Sequence, residues 1–483
     1  MPAEPSPDSP AESAFLRPPT GGKRTLKQKA MRGSAITFVG FGGTQFIRLA
    51  GNILVARLLA PEDFGLMAIV WVVMFTVTML SDVGAGPAVV RHERGDEPNF
   101  LNTAWTMQVI RGIVMFLGAC LIAWPVAYIY KEPRLVALII VVASTALFDG
   151  FVTMKMYTAT RHLALGRQTL VELLSQTAGV FVMVGLAIAY NSVWSLVAGA
   201  ITARLLRLVI AEIILPGVSN RFCWEREAVG ELFRFGRWIF LSSLLMLVGK
   251  QADKPLLGFL DSMAILGIYE RANRLGDPFQ SLTMQLARKV VFPAMSSVHR
   301  DRPEELRRNY YRARLALDGV FLPLLGALII SAPIFVSILY DDRYEAAGWM
   351  LQLLLVRVTM QCMLDPSGEC LIAINKPQYG FWWTLSRTVW ILVGLPLGWY
   401  YFGLLGVVCV VGFSEVPVMI VIWHGMIRYK LLNFSRELLA VSLVLMGMVV
   451  GWGFTFLWDA ALVEHWLHFE AWLRALWESR SSG

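Results

Sequence analysis

The fold class is decided by the stretch FGLMAIVWVVMFTVTML, residues 64–80, which contains no charged side chain. An α-helix needs about 20 apolar residues to cross a hydrocarbon layer roughly 30 Å thick. Similar apolar blocks recur along the chain, separated by short polar clusters. Apolar residues make up 56% of the 483 positions and charged residues 16%, whereas soluble domains carry roughly a quarter charged residues. We therefore predict an all-α polytopic membrane protein.

These blocks predict thirteen transmembrane helices. The stretch from Ala460 to Trp477 mixes tryptophans with charged residues, which favours an interfacial amphipathic helix over a fourteenth span. The predicted spans lie near residues 33–57, 64–90, 101–127, 135–157, 168–190, 193–215, 236–260, 263–292, 315–340, 346–374, 378–401, 404–427 and 434–458.

The two halves of the chain are similar in sequence. The segment from Leu54 to Leu66 aligns without gaps on the segment from Leu256 to Ile268, 202 residues later. Shorter matches, such as 184–186 on 393–395, follow further along the chain. They favour two six-helix lobes of the same orientation, the arrangement of transporters that rock around a central site.

Five parts follow from this pattern. The Pro-rich residues 1–32 have no leading apolar segment, so they are predicted to be a disordered cytoplasmic tail and not a cleaved signal peptide. The remaining parts are an N-terminal lobe (33–217), a cytoplasmic linker (218–235), a C-terminal lobe (236–428) and an additional transmembrane helix with an amphipathic C-terminal segment (429–483).

Orientation follows from the Lys and Arg residues of the connections. One side carries 25 of them, in the N-terminal 32 residues and near 91–94, 155–167, 221–237, 300–314, 376 and 428–436. The other side, up to the connection near Tyr401, carries four: Arg57, Lys131, Arg134 and Arg343. Basic connections stay in the cytoplasm, so the N-terminus is predicted to be cytoplasmic. This asymmetry also accounts for the formal charge of +8, without a nucleic-acid partner.

Catalytic and metal-binding patterns are absent from the sequence. Its five cysteines form no CxxC pair, and there is no HExxH, GxSxG or P-loop motif. The predicted external connections are short, which disfavours a membrane-embedded glycan polymerase or ligase with acid or base groups in external loops. We therefore predict no catalytic residue, no metal site and no cofactor.

Charged residues inside the predicted spans are the candidates for function. Each such residue costs roughly 2.5–3.5 kcal/mol near a helix centre, so it faces a cavity or a partner. In the first span Arg48 has Asn52 one turn away on its face. In the seventh span Lys250, Asp253 and Lys254 share one face, so that two cations accompany one anion.

The eighth predicted span also contains charged residues of both signs. Glu270 and Arg274 are spaced for an ion pair within the helix, and Arg271 projects elsewhere. Two interpretations stay open for these charges: a water-filled cationic cavity that binds pyrophosphate, or ion pairs that hold helices together. Asp82 and Glu415 are candidates for ion coupling, although a helix cap explains Asp82 better and a satisfied buried carboxyl explains Glu415 at least as well.

Several segments resemble one family. They are FIRLAGNILVARLLAPEDFGLMA (46–68), LSDVGAGPAVVRHER (80–94), FRFGRWIF (233–240), DKPLLGFLDSMAILGIYERANRL (253–275) and KVVFPAMSSVHRDRPEELRRNYYR (289–312). They are similar to bacterial polysaccharide exporters and lipid-linked oligosaccharide flippases of the Wzx type, in the multidrug/oligosaccharidyl-lipid/polysaccharide (MOP) superfamily. Lipid II flippases of that superfamily carry arginines where this chain has Gln45 and Gly51, so lipid II is not the expected substrate.

The resemblance implies two six-helix lobes around a central cavity in the bacterial inner membrane. It also implies export of a polyprenyl-pyrophosphate-linked glycan, with membrane lipids and a polysaccharide polymerase or export machinery as partners. A multidrug antiporter of the same superfamily is the alternative. Such an antiporter would need an acidic cavity for organic cations, which the cationic excess inside the spans disfavours.

The charge asymmetry makes a topological prediction. A reporter fused at Asp341 should lie on the periplasmic side, and one fused at Arg307 should lie in the cytoplasm, because the basic connections are retained inside. Paired alkaline phosphatase and fluorescent-protein fusions measure both positions, and the reverse pattern would exclude the assigned orientation.

Overall fold

A computed structural model describes residues 26–81, 89–90, 94–162, 165–217, 219–227, 229–230, 247, 249 and 251–481. Within these ranges the secondary structure is helical, with no strand. Among the described residues, eight helical segments are long and apolar enough to cross a membrane. The predicted all-α polytopic membrane protein is thus confirmed. Asp82 and Lys250 lie outside the described residues.

Close contacts divide the chain into two units, residues 1–267 and 268–483. Described helices that belong to the first unit are α1 (Leu26–Leu58), α2 (Pro61–Leu80), α3 (Pro98–Tyr130), α4 (Arg134–Phe151), α5 (Lys155–Arg161), α6 (Leu165–Tyr190), α7 (Trp194–Ile214) and α8 (Asp253–Leu260). Helix α1 packs on α6, α6 on α7, and α3 on α4.

The helix α9 (Met263–Leu286) begins in the first unit and continues into the second. It is followed by a π-helical turn (Ala287–Val291), α10 (Phe292–Asp301), α11 (Leu306–Leu339), α12 (Ala347–Ala373), α13 (Gln378–Gly412), α14 (Val416–Arg428) and α15 (Phe434–Ser481). Helix α11 packs on α12 and α15, and α12 also packs on α13 and α14.

The helix breaks repeat at the displacement found in the sequence. Helix α1 ends at Leu58 and α2 begins at Pro61. Helix α8 ends at Leu260 and α9 begins at Met263, in each case 202 residues later. The aligned segments therefore form equivalent helix ends, which supports the internal repeat.

The contact boundary does not coincide with the predicted linker at 218–235. Helix α8 packs on α2 and α3, and the Tyr130 hydroxyl donates to the Pro255 carbonyl over 3.1 Å. Gly65 and Gly267 allow the backbones near Met263 and Pro61 to approach closely. Residues 251–267 are thereby held in the first unit, and the predicted lobe boundaries stay a prediction.

Helix α4 ends earlier than the predicted span, which continued to residue 157. The Gln108 side-chain amide donates to the carbonyls of Asp149, Gly150 and Val152 over 3.0–3.1 Å. Carbonyls in the last turn of a helix have no intrahelical donor. Gln108 satisfies these carbonyls from α3, so the chain turns at 152–154 and starts the short helix α5.

The predicted eighth span, residues 263–292, is also interrupted. The α-helical pattern stops at Leu286 and widens into the π-helical turn just before Pro293. A proline inside a helix removes a backbone donor, and a π turn accommodates the change. One result is that Arg288, in this turn, reaches Glu369 on α12, with 3.2 Å between Nε and Oε1.

Helix α13 reverses direction at Gly403. That residue has φ 57° and ψ −138°, a conformation open only to glycine at little cost. Gly398 and Gly406 then lie against each other's backbone on the two arms. The sequence predicts this break, between spans ending at 401 and starting at 404, and the structure confirms it.

A buried ion pair joins α11 to α15. Arg314 donates to both carboxylate oxygens of Glu437, over 2.5 and 2.9 Å, and its Nε donates to Asp318 over 3.0 Å. Tyr310 and Tyr311 complete the network through their hydroxyls. The sequence counts Arg314 among the Lys and Arg residues of a connection, whereas the structure places it within α11 with its side chain 2% exposed.

Glu437→Gln should lower the stability of the protein. The change removes the carboxylate that accepts two hydrogen bonds from the buried Arg314, while Asp318 remains as a counter-charge. A hydrogen bond to a charged group is worth roughly 1.5–3 kcal/mol, so we expect a loss of that order. Thermal denaturation followed by fluorescence-detected size exclusion measures the loss. Glu304→Gln, the same change at an exposed position, is the control. Equal denaturation temperatures for the two variants would contradict a stabilising role for the pair.

Candidate functional site

Arginines from α9 and α12 form a group that we call the cationic cluster: Arg271, Arg274 and Arg357, with Glu270, Asn273 and Asp277. Arg274 Nε lies 2.8 Å from Glu270 Oε1, so the pair predicted from the i, i+4 spacing forms. Arg357 Nη2 donates to Asn273 Oδ1 over 2.6 Å. Arg271 is 4% exposed and interacts electrostatically with Arg274, Tyr340 and Tyr344.

The cationic cluster holds more positive than negative charge. It contains three guanidinium groups and two carboxylates, and Asp277 is exposed whereas Glu270 is buried. Helices α9 and α12 are close here, because a Cβ on Gly276 would lie 3.1 Å from Val358. A single net positive charge and several fixed N–H donors suit a phosphate or pyrophosphate group.

A second group, which we call the acidic cluster, lies further along α12: Gln361, Asp365, Glu369, Glu415, Arg387 and Arg288. Gln361 Nε2 donates to Glu415 Oε1 over 2.8 Å, and Arg387 Nη2 donates to Glu415 Oε2 over 2.6 Å. Asp365 interacts electrostatically with Glu415, Arg387, Glu369 and Arg288. This cluster contains three carboxyl groups and two guanidinium groups. Its excess charge is therefore negative, whereas that of the cationic cluster is positive.

The remaining predicted site residues belong to the first unit. Arg48 is exposed on α1, with Nη1 3.5 Å from Gln45 Oε1, and Asn52 is half-buried one turn further. Asp253 is buried at the start of α8, and Lys254 next to it is half-buried. The structure thus brings Arg271 and Arg274 together in one cluster of the second unit, and Arg48, Asn52, Asp253 and Lys254 belong to the first unit.

Two other intramembrane arginines are held by carboxylates of the first unit. Arg204 and Arg207 lie 3.3 and 3.6 Å from Asp149, and Arg207 lies 2.9 Å from Glu172. Glu212, on the same helix as these arginines, pairs with Lys155 over 2.6 Å. These contacts favour the structural interpretation of Arg204 and Arg207.

Most polar residues of the two clusters were not predicted as site residues from the sequence, among them Arg357, Arg387 and Gln361. Arg357 and Arg387 were only two among many intramembrane cations, and Gln361 carries no charge that would draw notice. The one available signal was the i, i+4 spacing of Gln361 and Asp365, which places them on one face of α12. Their partners are 28–84 residues away in sequence and follow only from the fold.

Residues 54–348 match the sequence model of a protein family described as polysaccharide biosynthesis proteins. This range covers more than half of the chain and includes the α9 part of the cationic cluster. Among curated proteins, WzxC of Escherichia coli K12, named a lipopolysaccharide biosynthesis protein, is 21% identical over 82% of this chain and 80% of its own length.

Another relative is ExoT of Rhizobium meliloti, named a succinoglycan biosynthesis transport protein. It is 22% identical over 74% of this chain and 71% of its own length. An uncharacterised membrane protein of the cps region of Klebsiella pneumoniae is also 22% identical, over 71% of this chain and 70% of its own length. These relatives agree with the family match.

Solved structures show a shared fold. The inward closed conformation of the lipid II flippase MurJ has a TM-score of 0.65 at 12% identity, and the match covers 89% of this chain and 100% of MurJ. An inward-facing multidrug resistance MATE transporter of the MOP superfamily has a TM-score of 0.59 at 15% identity, over 80% and 94% of the two chains. With this fold and the match over residues 54–348, the chain belongs to the polysaccharide biosynthesis protein family.

Proposed function

We propose that the protein is a flippase. It moves a polyprenyl-pyrophosphate-linked oligosaccharide repeat unit across the bacterial inner membrane, by alternating access, for exopolysaccharide, capsule or O-antigen synthesis. Its N-terminus is in the cytoplasm. The excess positive charge of the cationic cluster, in a chain of this family, is the observation that carries the proposal.

The cationic cluster supports an anionic substrate for a physical reason. Burying Arg271 next to Arg274 is unfavourable, because the guanidinium group loses hydration and the two like charges repel each other. A pyrophosphate group with two or more negative charges offsets that repulsion and accepts several charge-assisted hydrogen bonds. An organic cation, the substrate class of a multidrug antiporter, would add to the repulsion. Arg48, Asn52, Lys250, Asp253 and Lys254 are proposed as further contacts along the pathway.

The partners follow from the same proposal. A lipid-linked substrate reaches the protein from the membrane, so membrane lipids surround the entry path. The translocated unit then passes to a polysaccharide polymerase or to export machinery. The proposal involves neither a cofactor nor chemistry on the substrate.

Deletion of the gene should leave lipid-linked repeat units on the cytoplasmic leaflet and abolish one surface or secreted polysaccharide. The pyrophosphate headgroup does not cross the hydrocarbon layer unaided, because burying its charges costs many kcal/mol. Mass spectrometry of extracted lipids and immunoblotting of the polysaccharide measure both effects, and a plasmid copy should restore export. Normal export from a strain without related transporters would exclude the flippase proposal.

Single substitutions at neighbouring arginines should have different effects. Arg271→Gln removes a guanidinium that is proposed to bind substrate, so export should fall while membrane abundance stays normal. Loss of a charged hydrogen bond worth roughly 1.5–3 kcal/mol weakens binding about tenfold to 150-fold. Arg274→Gln instead removes the guanidinium that pairs with the buried Glu270, whose side chain is 3% exposed, and should lower abundance.

The double change Arg274→Gln with Glu270→Gln is the matched control, since it removes both charges and should restore abundance. Export is measured as released polysaccharide per amount of protein in the membrane. If Arg271→Gln lowers abundance as much as Arg274→Gln and leaves export per molecule unchanged, Arg271 belongs to the scaffold.

A further inference from the structure

The acidic cluster has one more negative than positive group. Its carboxyl groups belong to Asp365, Glu369 and Glu415, and its guanidinium groups to Arg288 and Arg387. Glu415 is 1% exposed. Uncompensated charge in a membrane-spanning helix is expensive, so such a set is stabilised by one additional positive charge.

Glu415, the ion-coupling candidate of the sequence, is already compensated. Its Oε1 accepts from Gln361 and its Oε2 accepts from Arg387. Glu369 in turn pairs with Arg288. The negative charge that exceeds the available guanidinium groups therefore belongs to Asp365, which lies one turn after Gln361 and one turn before Glu369 on α12.

Gln361 provides an independent observation. Its side chain is 7% exposed, and its Oε1 is buried without a hydrogen-bond donor within the described part of the chain. An unsatisfied buried acceptor costs about 1–3 kcal/mol. The amide is held by its bond to Glu415, and Gln361 precedes Asp365 by four residues, so the two side chains are neighbours on one face of α12.

We propose that Asp365 binds a proton, and that its neutral carboxyl group donates the new O–H bond to Gln361 Oε1. The proton comes from water and returns to water, so no other bond is made or broken. This inference rests on the proposed transport function and adds its coupling ion: the loaded cluster is neutral, and the empty cluster is anionic.

A proton fits this cluster better than a metal ion. Hard cations require several oxygen ligands at once, and both carboxylate oxygens of Glu415 already accept hydrogen bonds. Within the described residues, no group of three His, Cys, Asp or Glu side chains is placed to hold a metal ion. A proton needs only one carboxyl and one acceptor, which Asp365 and Gln361 supply.

The other titratable and charged groups of the elements packed around this part of α12 are accounted for. On α11, Arg314 pairs with Asp318 and Glu437. The Cys362 thiol, on α12 itself, shares a hydrogen bond of 3.2 Å with Thr283 of α9. These elements also carry Arg288 and Lys289 in the π-helical turn, where Lys289 Nζ donates to Gln285 over 3.3 Å. The others are Arg387 on α13, Glu415, His424 and Arg428 at and along α14, and the exposed His299, Arg300 and Asp301 on α10.

Infrared difference spectroscopy on the purified full-length protein tests the assignment. Spectra at mildly acidic minus alkaline pH should contain the C=O stretching band of a protonated carboxyl group. Asp365→Asn should remove one component of this band, and Gln361→Leu should shift its position because the acceptor is lost. Asp342→Asn, the same change at an exposed position outside the spans, is the control and should keep it.

An unchanged band in Asp365→Asn that eluted as a folded monodisperse protein would overturn the proposal. Loss of the component in Glu415→Gln but not in Asp365→Asn would also overturn it, and would assign the proton to Glu415. Suppression of the band by sodium chloride but not by choline chloride at fixed pH would identify sodium as the ligand instead. None of these readouts depends on glycan export, so they judge the proton site separately from the flippase proposal.

Discussion

The cost of placing charge in hydrocarbon governs the whole molecule. A chain with this many apolar helices leaves few places where a guanidinium or carboxylate is tolerated, so each one must meet an opposite charge, a hydrogen-bond partner or water. Arg314 shows the fully compensated extreme, with Glu437, Asp318 and Tyr310 around it. In each of the two clusters on α12 the charges balance only in part. The sign of the excess charge, positive in the cationic cluster and negative in the acidic cluster, is the physical basis for the function proposed for each.

One helix connects the two clusters. Arg357 and Asp365 are eight residues apart on α12, which corresponds to about 12 Å along its axis. The positive and negative excess charges therefore share a single rigid element. Occupancy at one cluster changes the field at the other, and a movement of α12 shifts both against their partners on α9, α13 and α14.

Local features of this structure were predictable from sequence, and contacts between distant segments were not. The helix ends at Leu58 and Leu260, the turn at Gly403 and the Glu270–Arg274 pair all follow from composition, glycine chemistry or helical spacing. The end of α4 depends on a glutamine 41 residues earlier.

The same distinction applies to the candidate site. Gln361 and Glu415 are 54 residues apart, and neither position signals the other. The cationic excess was visible in the sequence, because lone charges in apolar runs are rare. Which arginine is neutralised by which carboxylate depends on how the helices pack, and spacing along one helix determines only pairs such as Glu270–Arg274.

Helix α15 has a mechanical consequence. It runs without a break from Phe434 to Ser481, 48 residues, so it is about 72 Å long, more than twice the thickness of the hydrocarbon layer. Near its start it is clamped to α11 by Glu437, and further along Gly447 and Gly451 bring its backbone against α11. A tilt of 5° about Gly451, the last of these contacts, would move the end of the helix, 30 residues or about 45 Å away, by about 4 Å.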